Sequence, residues 1–267
     1  MPVTELRPMP PSTLERLVIA GPAGVLETDI NDPGEPRRGI ALIAHPNPVQ
    51  GGTKDNKVVT TLAKTFFGLG YVAVRPNFRG VGASAGHFDE GNGEAEDMLA
   101  AAHYFQSRYG ALPLLLAGFS FGAFVQTRVA QALPAEKLVL VGPAVNRFPA
   151  ATAPANTLII HGEVDDVVPL AAVFDWARPQ QLPVVVVPGG EHFFHGRLHV
   201  LAQIVRRQGE RRRAPVRGPV GQGFECYHQS EAEITLCCAG DPNSNLRRRT
   251  SLPSGQADCA PPGHLAG

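Results

Sequence analysis

A chain of 267 residues with 24 Lys and Arg against 24 Asp and Glu carries no net charge at pH 7. That excludes a basic face built for nucleic acid and an acidic tail built for a basic partner, and leaves small-molecule chemistry as the expectation. The length suits one α/β domain of about 200 residues with an appendage. No apolar run reaches the roughly 18 residues of a membrane span, and Met1-Pro2-Val3-Thr4-Glu5 does not begin a signal-peptide core, so a soluble, cytoplasmic protein with no membrane contact is expected. All four cysteines (Cys226, Cys237, Cys238, Cys259) fall in the last fifth of the chain. The part that reads as folded therefore has no disulfide framework, which suits a reducing compartment.

Residues 1–15 are proline-rich and unpatterned and are expected to form a loose arm ahead of a domain spanning 16–208. Leu17–Gly21 and Gly24–Ile30, separated by Gly-Pro-Ala, read as an antiparallel hairpin. Gly39–His45 is a continuous apolar run, the pattern of a strand buried on both faces of a parallel sheet. A loop, His45-Pro46-Asn47-Pro48, follows, and then a helix over Thr53–Leu69. Tyr71–Pro76 is the next strand, Asn77–Gly86 a glycine-rich loop, and Glu94–Arg108 an alanine-rich helix with an acidic first turn. An apolar strand then ends at Gly118-Phe119-Ser120-Phe121-Gly122, where a helix to about Leu133 starts at once. Strands over Lys137–Gly142, Asn156–Gly162 and Pro183–Pro188 alternate with helical sequence. The alternation predicts a doubly wound, mainly parallel α/β sheet with an N-terminal antiparallel hairpin.

Beyond Gln208 the periodicity stops. Residues 209–267 contain Arg211-Arg212-Arg213, Arg247-Arg248-Arg249 and scattered Pro, Gly and Ser, the composition of a disordered tail. Two origins account for it: out-of-frame or read-through translation, or a natural basic extension.

A G-x-S-x-G turn between strand and helix is the arrangement that lifts a serine hydroxyl above a sheet, with Gly118 and Gly122 leaving room where the two elements meet. Five residues alone are a weak signal. A serine hydroxyl is a poor nucleophile near neutral pH and needs an imidazole to take its proton, a carboxylate to orient that imidazole, and two N–H donors for the developing oxyanion. Carboxylates and histidines follow the serine in the required order, at His161-Gly162-Glu163-Val164-Asp165-Asp166 and at Glu191-His192-Phe193-Phe194-His195. Asp165 competes with Asp166, and His192 with His195 and His199. One oxyanion donor is expected at the Phe121 N–H and the other at or near Asn47, whose neighbours Pro46 and Pro48 have no N–H to give.

His45-Pro46-Asn47-Pro48-x-x-Gly51-Gly52-Thr53-x-x-Asn56-Lys57, Asn77-Phe78-Arg79-Gly80-Val81-Gly82-x-Ser84, the Ser120 motif, His161-Gly162-Glu163-x-Asp165 and His192-Phe193-Phe194 together resemble the small bacterial α/β-hydrolases related to dienelactone hydrolase and short-chain carboxylesterases. The resemblance runs over about residues 15–208 and does not extend to the tail. It implies an α/β-hydrolase fold and a triad of Ser120, Asp165 and His192. Since dienelactone hydrolase itself uses a cysteine, Ser120 points to the esterase side.

The remaining motifs are read structurally. His45 and His161 end strands and are expected to hydrogen-bond loops. Arg79 is expected in an ion pair, with contact to an acidic substrate as the alternative. The Gly82–Gly86 segment lacks the register of a nucleotide cradle, and no H-E-x-x-H is present, so no cofactor and no metal are expected. Where larger relatives of the implied fold insert a lid, only about a dozen residues separate Gly142 from Asn156. An open cleft rimmed by Phe119, Phe193, Phe194 and Phe121 follows, with Phe119 and Phe121 also suited to core positions. The expected function is hydrolysis of small or short-chain carboxylic esters through an acyl-enzyme. A thioesterase or peptidase with the same triad, and a non-catalytic binding protein on the same fold, are the alternatives. The expected partners are a small-molecule ester and, as is common among soluble enzymes, a second copy of the chain.

Overall fold

The computed structural model describes residues 14–210. Leu14 and Glu15, expected in the loose arm, already pair with Asn31 and Ile30 in the first strand, and the last helix runs on to Glu210. That places residues 209 and 210 of the expected tail in a helix, and the rest of the tail expected to be disordered, 211–267, lies outside the described residues.

Strands β1 (Leu14–Gly21) and β2 (Gly24–Asn31) form the antiparallel hairpin, and β2 continues antiparallel onto β4 (Tyr71–Pro76). The other strands, β3 (Gly39–Ala44), β5 (Leu114–Phe119), β6 (Lys137–Val141), β7 (Leu158–Gly162) and β8 (Val184–Val187), pair in parallel with one another and with β4. The order across the eight-stranded sheet is β1-β2-β4-β3-β5-β6-β7-β8. The continuous apolar runs of β3 to β7 exist because both faces of the sheet are covered. Along β3, Ile40, Leu42 and Ala44 face one apolar cluster while Ala41 and Ile43 face another. Period two sorts side chains to opposite faces.

Helices α2 (Asn92–Tyr109), α3 (Phe121–Ala132) and α4 (Leu170–Ala177) supply Met98, Phe105, Phe124, Val129 and Val173 to the first cluster. Helices α1 (Lys57–Gly68) and α5 (Leu198–Glu210) supply Leu62, Phe66, Leu201 and Val205 to the second. Helix α1 starts four residues later than the sequence pattern suggests because the Asn56 side chain accepts from the Val58 N–H and caps it there. Helix α2 starts two residues earlier than expected, since the Glu94 carboxylate reaches back to the N–H groups of Asp89 and Gly91.

The connections from β3 and from β5 run in opposite directions. Strand β3 leads through α1 to β4 on one side, and β5 leads through α3 to β6 on the other, with the two helices on opposite faces. A crevice opens where adjacent strands diverge in this way, at their carboxyl ends. The loop at Asn47 and the turn at Ser120 both lie there.

Residues 142–157, between β6 and β7, lie against α3, and Arg147 of this segment borders the crevice. Phe148 stacks on Phe124 with ring centres 5.0 Å apart and sits edge-on to Phe121 at the same separation. The Ala151 N–H donates to Thr127 Oγ1 at 3.0 Å, and Gln131 Nε2 to the Thr152 carbonyl at 2.8 Å. The segment is thus pinned to α3, and among the described residues there is no lid. Among the described residues no helix is long and apolar enough to cross a membrane.

Candidate active site

Ser120 stands between β5 and α3 with φ 55° and ψ −116°, a backbone region that a residue with a Cβ occupies only under constraint. The constraint comes from neighbouring backbone. Its N–H donates to the Val141 carbonyl at 2.9 Å, and its own carbonyl accepts from the Phe124 and Ala144 N–H groups at 3.2 and 3.3 Å. The two glycines of the motif are there for space: a Cβ on Gly118 would stand 2.4 Å from the Gly122 carbonyl oxygen, and one on Gly122 would stand 2.4 Å from the carbonyl oxygens of both Ala44 and His45.

The loop after β7 carries Asp165 and the loop after β8 carries His192. His192 Nε2 lies 3.0 Å from Ser120 Oγ, and His192 Nδ1 lies 2.8 Å from Asp165 Oδ2. A carboxylate only accepts, so Nδ1 carries the proton and the Nε2 lone pair faces the serine hydroxyl. Asp165 Oδ1 is fixed by the N–H groups of Val167 and Val168 at 3.0 and 2.8 Å. Burial alone pushes the Asp165 carboxyl up. The hydrogen bonds from His192 and Val168 outweigh it and hold the group below the usual carboxylate range. Asp166, the competing acid, is exposed; His195 and His199 are exposed as well, and His195 pairs with Glu191. The structure therefore joins Ser120, Asp165 and His192 and leaves the alternatives outside.

The aromatic rim is smaller than expected. Only Phe193, 43% exposed, lines the cleft. Phe119 is fully buried because it points down from β5, its ring 4.9 Å below the His192 imidazole, where it packs the catalytic candidate rather than a substrate. Phe194, with φ 53°, is also fully buried, turned into the α1–α5 side of the core. The Phe121 ring is buried among Phe78, Phe124 and Phe148. Its N–H opens α3, and an N–H in a first helical turn has no intrahelical acceptor. Asn47 borders the cleft, and its side chain is engaged by the Val49 N–H at 3.0 Å.

His45 and His161 prove to be loop fasteners. His45 Nδ1–H donates to the Pro46 carbonyl at 2.7 Å and its Nε2 accepts from the Phe78 N–H at 2.9 Å, so the ring ties the loops after β3 and β4 together as a neutral imidazole. Burial pushes its pKa down to about 4. His161 Nε2–H donates to the Val168 carbonyl at 2.9 Å and stands 3.4 Å from Asp165 Oδ2. Sequence reasoning missed that second contact, although His161 and Asp165 are four residues apart in the same motif. Arg79 forks onto Asp97 through Nε and Nη2, at 3.0 and 2.9 Å, and is structural. Among the described residues no group of three or more His, Cys, Asp or Glu side chains gathers in a way that suits a metal ion.

The cleft above Ser120 and His192 holds about 300 Å³ between the Asn47–Gly52 loop on one side and Arg147 and Val167 on the other. The arrangement offers a serine hydroxyl beside a correctly tautomerised imidazole at the N-terminus of a helix, both largely buried at the floor of the cleft.

Residues 38–152 match the family described as Hydrolase_4, serine aminopeptidase S33. Over 205 residues the chain is 33% identical to uncharacterized protein RP471 of Rickettsia prowazekii, covering 68% of this chain and 82% of that one. The solved structure of XC6422 from Xanthomonas campestris, an α/β serine hydrolase without lid, is 38% identical with a TM-score of 0.71, over 78% of this chain and 98% of its own. An α/β serine hydrolase homologue from Coxiella burnetii is 42% identical with a TM-score of 0.68, over 72% of this chain and 96% of its own.

Proposed function

This chain belongs to the α/β-hydrolase superfamily, among its serine hydrolases, and from that premise we propose that it cleaves small carboxylic esters through an acyl-enzyme on Ser120. The 3.0 Å contact between Ser120 Oγ and His192 Nε2, in a cleft without a lid, is the observation that carries this reading. Ser120 Oγ attacks the ester carbonyl carbon while its proton passes to His192 Nε2. Asp165, ionised and buried, stabilises the imidazolium and does not itself take the proton. The tetrahedral oxyanion is received by the Phe121 N–H and the Asn47 N–H, assisted by the positive end of α3. Collapse breaks the bond to the alkoxy oxygen, which leaves as an alcohol with the proton from His192. A water then gives a proton to Nε2, its oxygen attacks the acyl carbon, and a second collapse returns the proton to Ser120. The net change is ester plus water to acid plus alcohol.

Ser120→Ala should lower ester hydrolysis by about 10⁴–10⁶-fold and abolish labelling by a fluorophosphonate. A variant that keeps either would end the assignment. The same groups serve thioesters and peptides, and the match to a family described as serine aminopeptidases favours peptide cleavage as the second reading. Rates on an acetyl ester, an acyl thioester and an aminoacyl anilide, measured side by side on the wild-type chain, separate the three.

A further inference from the structure

The buried cations between β3 and α2 are spent on internal partners. Arg79 is committed to Asp97, Arg75 lies 3.4 Å from Asp29, and Lys54 reaches Asp29 and Asp55 at 3.2 Å. Arg147 is different. It is exposed on the loop after β6, it lines the same cleft as Ser120 and His192, and among the described residues it makes no ion pair and no side-chain hydrogen bond. Among the described residues no carboxylate lines that cleft: Asp165 is buried beneath His192, Asp55 lies in the adjoining depression, and Asn47, Gln50, Asn56 and glycine backbone form the rest of the wall.

The backbone that carries Arg147 is in register with the reacting atoms. The Arg147 N–H donates to the Ala144 carbonyl at 3.2 Å, and the Ala144 N–H donates to the carbonyl of Ser120 itself at 3.3 Å. Asn146 Nδ2 donates to the Val167 carbonyl at 3.2 Å, on the loop that presents Asp165. The segment that carries Arg147 is thus fixed relative to both of these loops, the guanidinium reaches the cleft from it, and its fork-shaped set of donors matches a carboxylate.

We propose that Arg147 is the specificity determinant of this cleft and that the preferred substrate is a small ester carrying a free carboxylate near its scissile bond. The inference rests on the reading of Ser120 as nucleophile and adds the substrate's charge. Arg147 binds the carboxylate at the open side of the cleft and leaves the reacting carbonyl over Ser120. Because the site is open to water, the gain is modest and sensitive to salt.

The test uses two pairs of chromogenic esters on the full chain. In the first pair the charge is on the acyl side: mono-4-nitrophenyl glutarate against its neutral methyl ester. In the second it is on the alcohol side: 4-acetoxybenzoate against methyl 4-acetoxybenzoate. The wild-type chain should favour the anionic member of at least one pair by about tenfold in kcat/KM at low ionic strength, and less at high salt. Arg147→Gln should bring that ratio to about one, and Arg147→Glu should invert it. Because each readout is a ratio on one protein sample, a partly unfolded variant does not distort it. No anionic preference in either pair, or a preference that survives in Arg147→Gln, overturns the role of Arg147 while leaving ester hydrolysis intact. Absence of turnover on every ester together with absence of fluorophosphonate labelling overturns the serine hydrolase reading itself.

Discussion

At the scale of single residues, adjacent side chains of the same type have unrelated environments. Asp165 and Asp166 are neighbours with the same carboxyl group. One accepts from two backbone N–H groups and an imidazole in a buried site, and the other faces solvent. Asp165→Asn removes the negative charge beside His192 and puts an amide in its place, which no longer fixes the Nδ1–H tautomer. Ester hydrolysis is expected to fall by about 10³–10⁴-fold, while Asp166→Asn stays within about twofold, since it touches none of these groups. Initial rates on a neutral nitrophenyl ester check both, and an equal loss in the two variants would contradict the assignment of Asp165. The pair Phe193 and Phe194 teaches the same lesson: the first is on the cleft and the second is in the core, because the backbone reverses through φ 53° between them and the next turn.

At the scale of elements, the junction of β5 and α3 is the most constrained part of the fold. Strand, turn and helix approach so closely that the two glycines of the motif face backbone carbonyls rather than flexible side chains. A methyl group there has no route to relax. Gly122→Ala would drive its Cβ toward the carbonyl oxygens of Ala44 and His45 at the end of β3, and overpacking of that kind costs about 1–3 kcal/mol. For a domain of this size that lowers the thermal midpoint by roughly 2–12 °C, and calorimetry on the purified variant measures it. An unchanged midpoint would mean that α3 moves away from β3 freely. The same helix holds the lidless character in place, because Thr127 and Gln131 on α3 tie down the segment that follows β6.

At the scale of the molecule, two buried histidines couple the fold to pH. Both His45 and His161 are neutral in the folded state, with pKa values lowered mainly by burial, His45 to about 4. In the unfolded chain a histidine binds its proton below about pH 6.5. Between those limits the unfolded state binds more protons than the folded one, so stability falls as the pH drops from 6.5 toward 4. His45 alone accounts for about 3 kcal/mol of that loss. The lowered carboxyl of Asp165 extends the decline below pH 4, because its contribution is present above the unfolded carboxyl pKa and disappears as it protonates. Urea midpoints measured from pH 8 to pH 4.5 should be flat above about 7 and fall below 6.5. A flat profile down to pH 5 would show that neither ring is held neutral.

Much of this protein is determined locally and can be read from its sequence: the buried runs of β3 to β7, the hairpin ahead of them, the serine turn with its two glycines, and the order in which the acid and the histidine follow. These depend on the period of side chains and on backbone conformation, which neighbouring residues set. Other properties depend on atoms far apart in the chain and only the tertiary structure decides them. They include the burial of Phe119 and Phe194, the second contact of His161, the choice of Asp97 as the partner of Arg79, and the position of Arg147 on the cleft wall. An arginine in a short irregular loop has no periodicity to give it away. Its place on the cleft wall arises from the order β3-β5-β6 in the sheet, which brings the loops that follow three adjacent strands, separated by dozens of residues, to one edge.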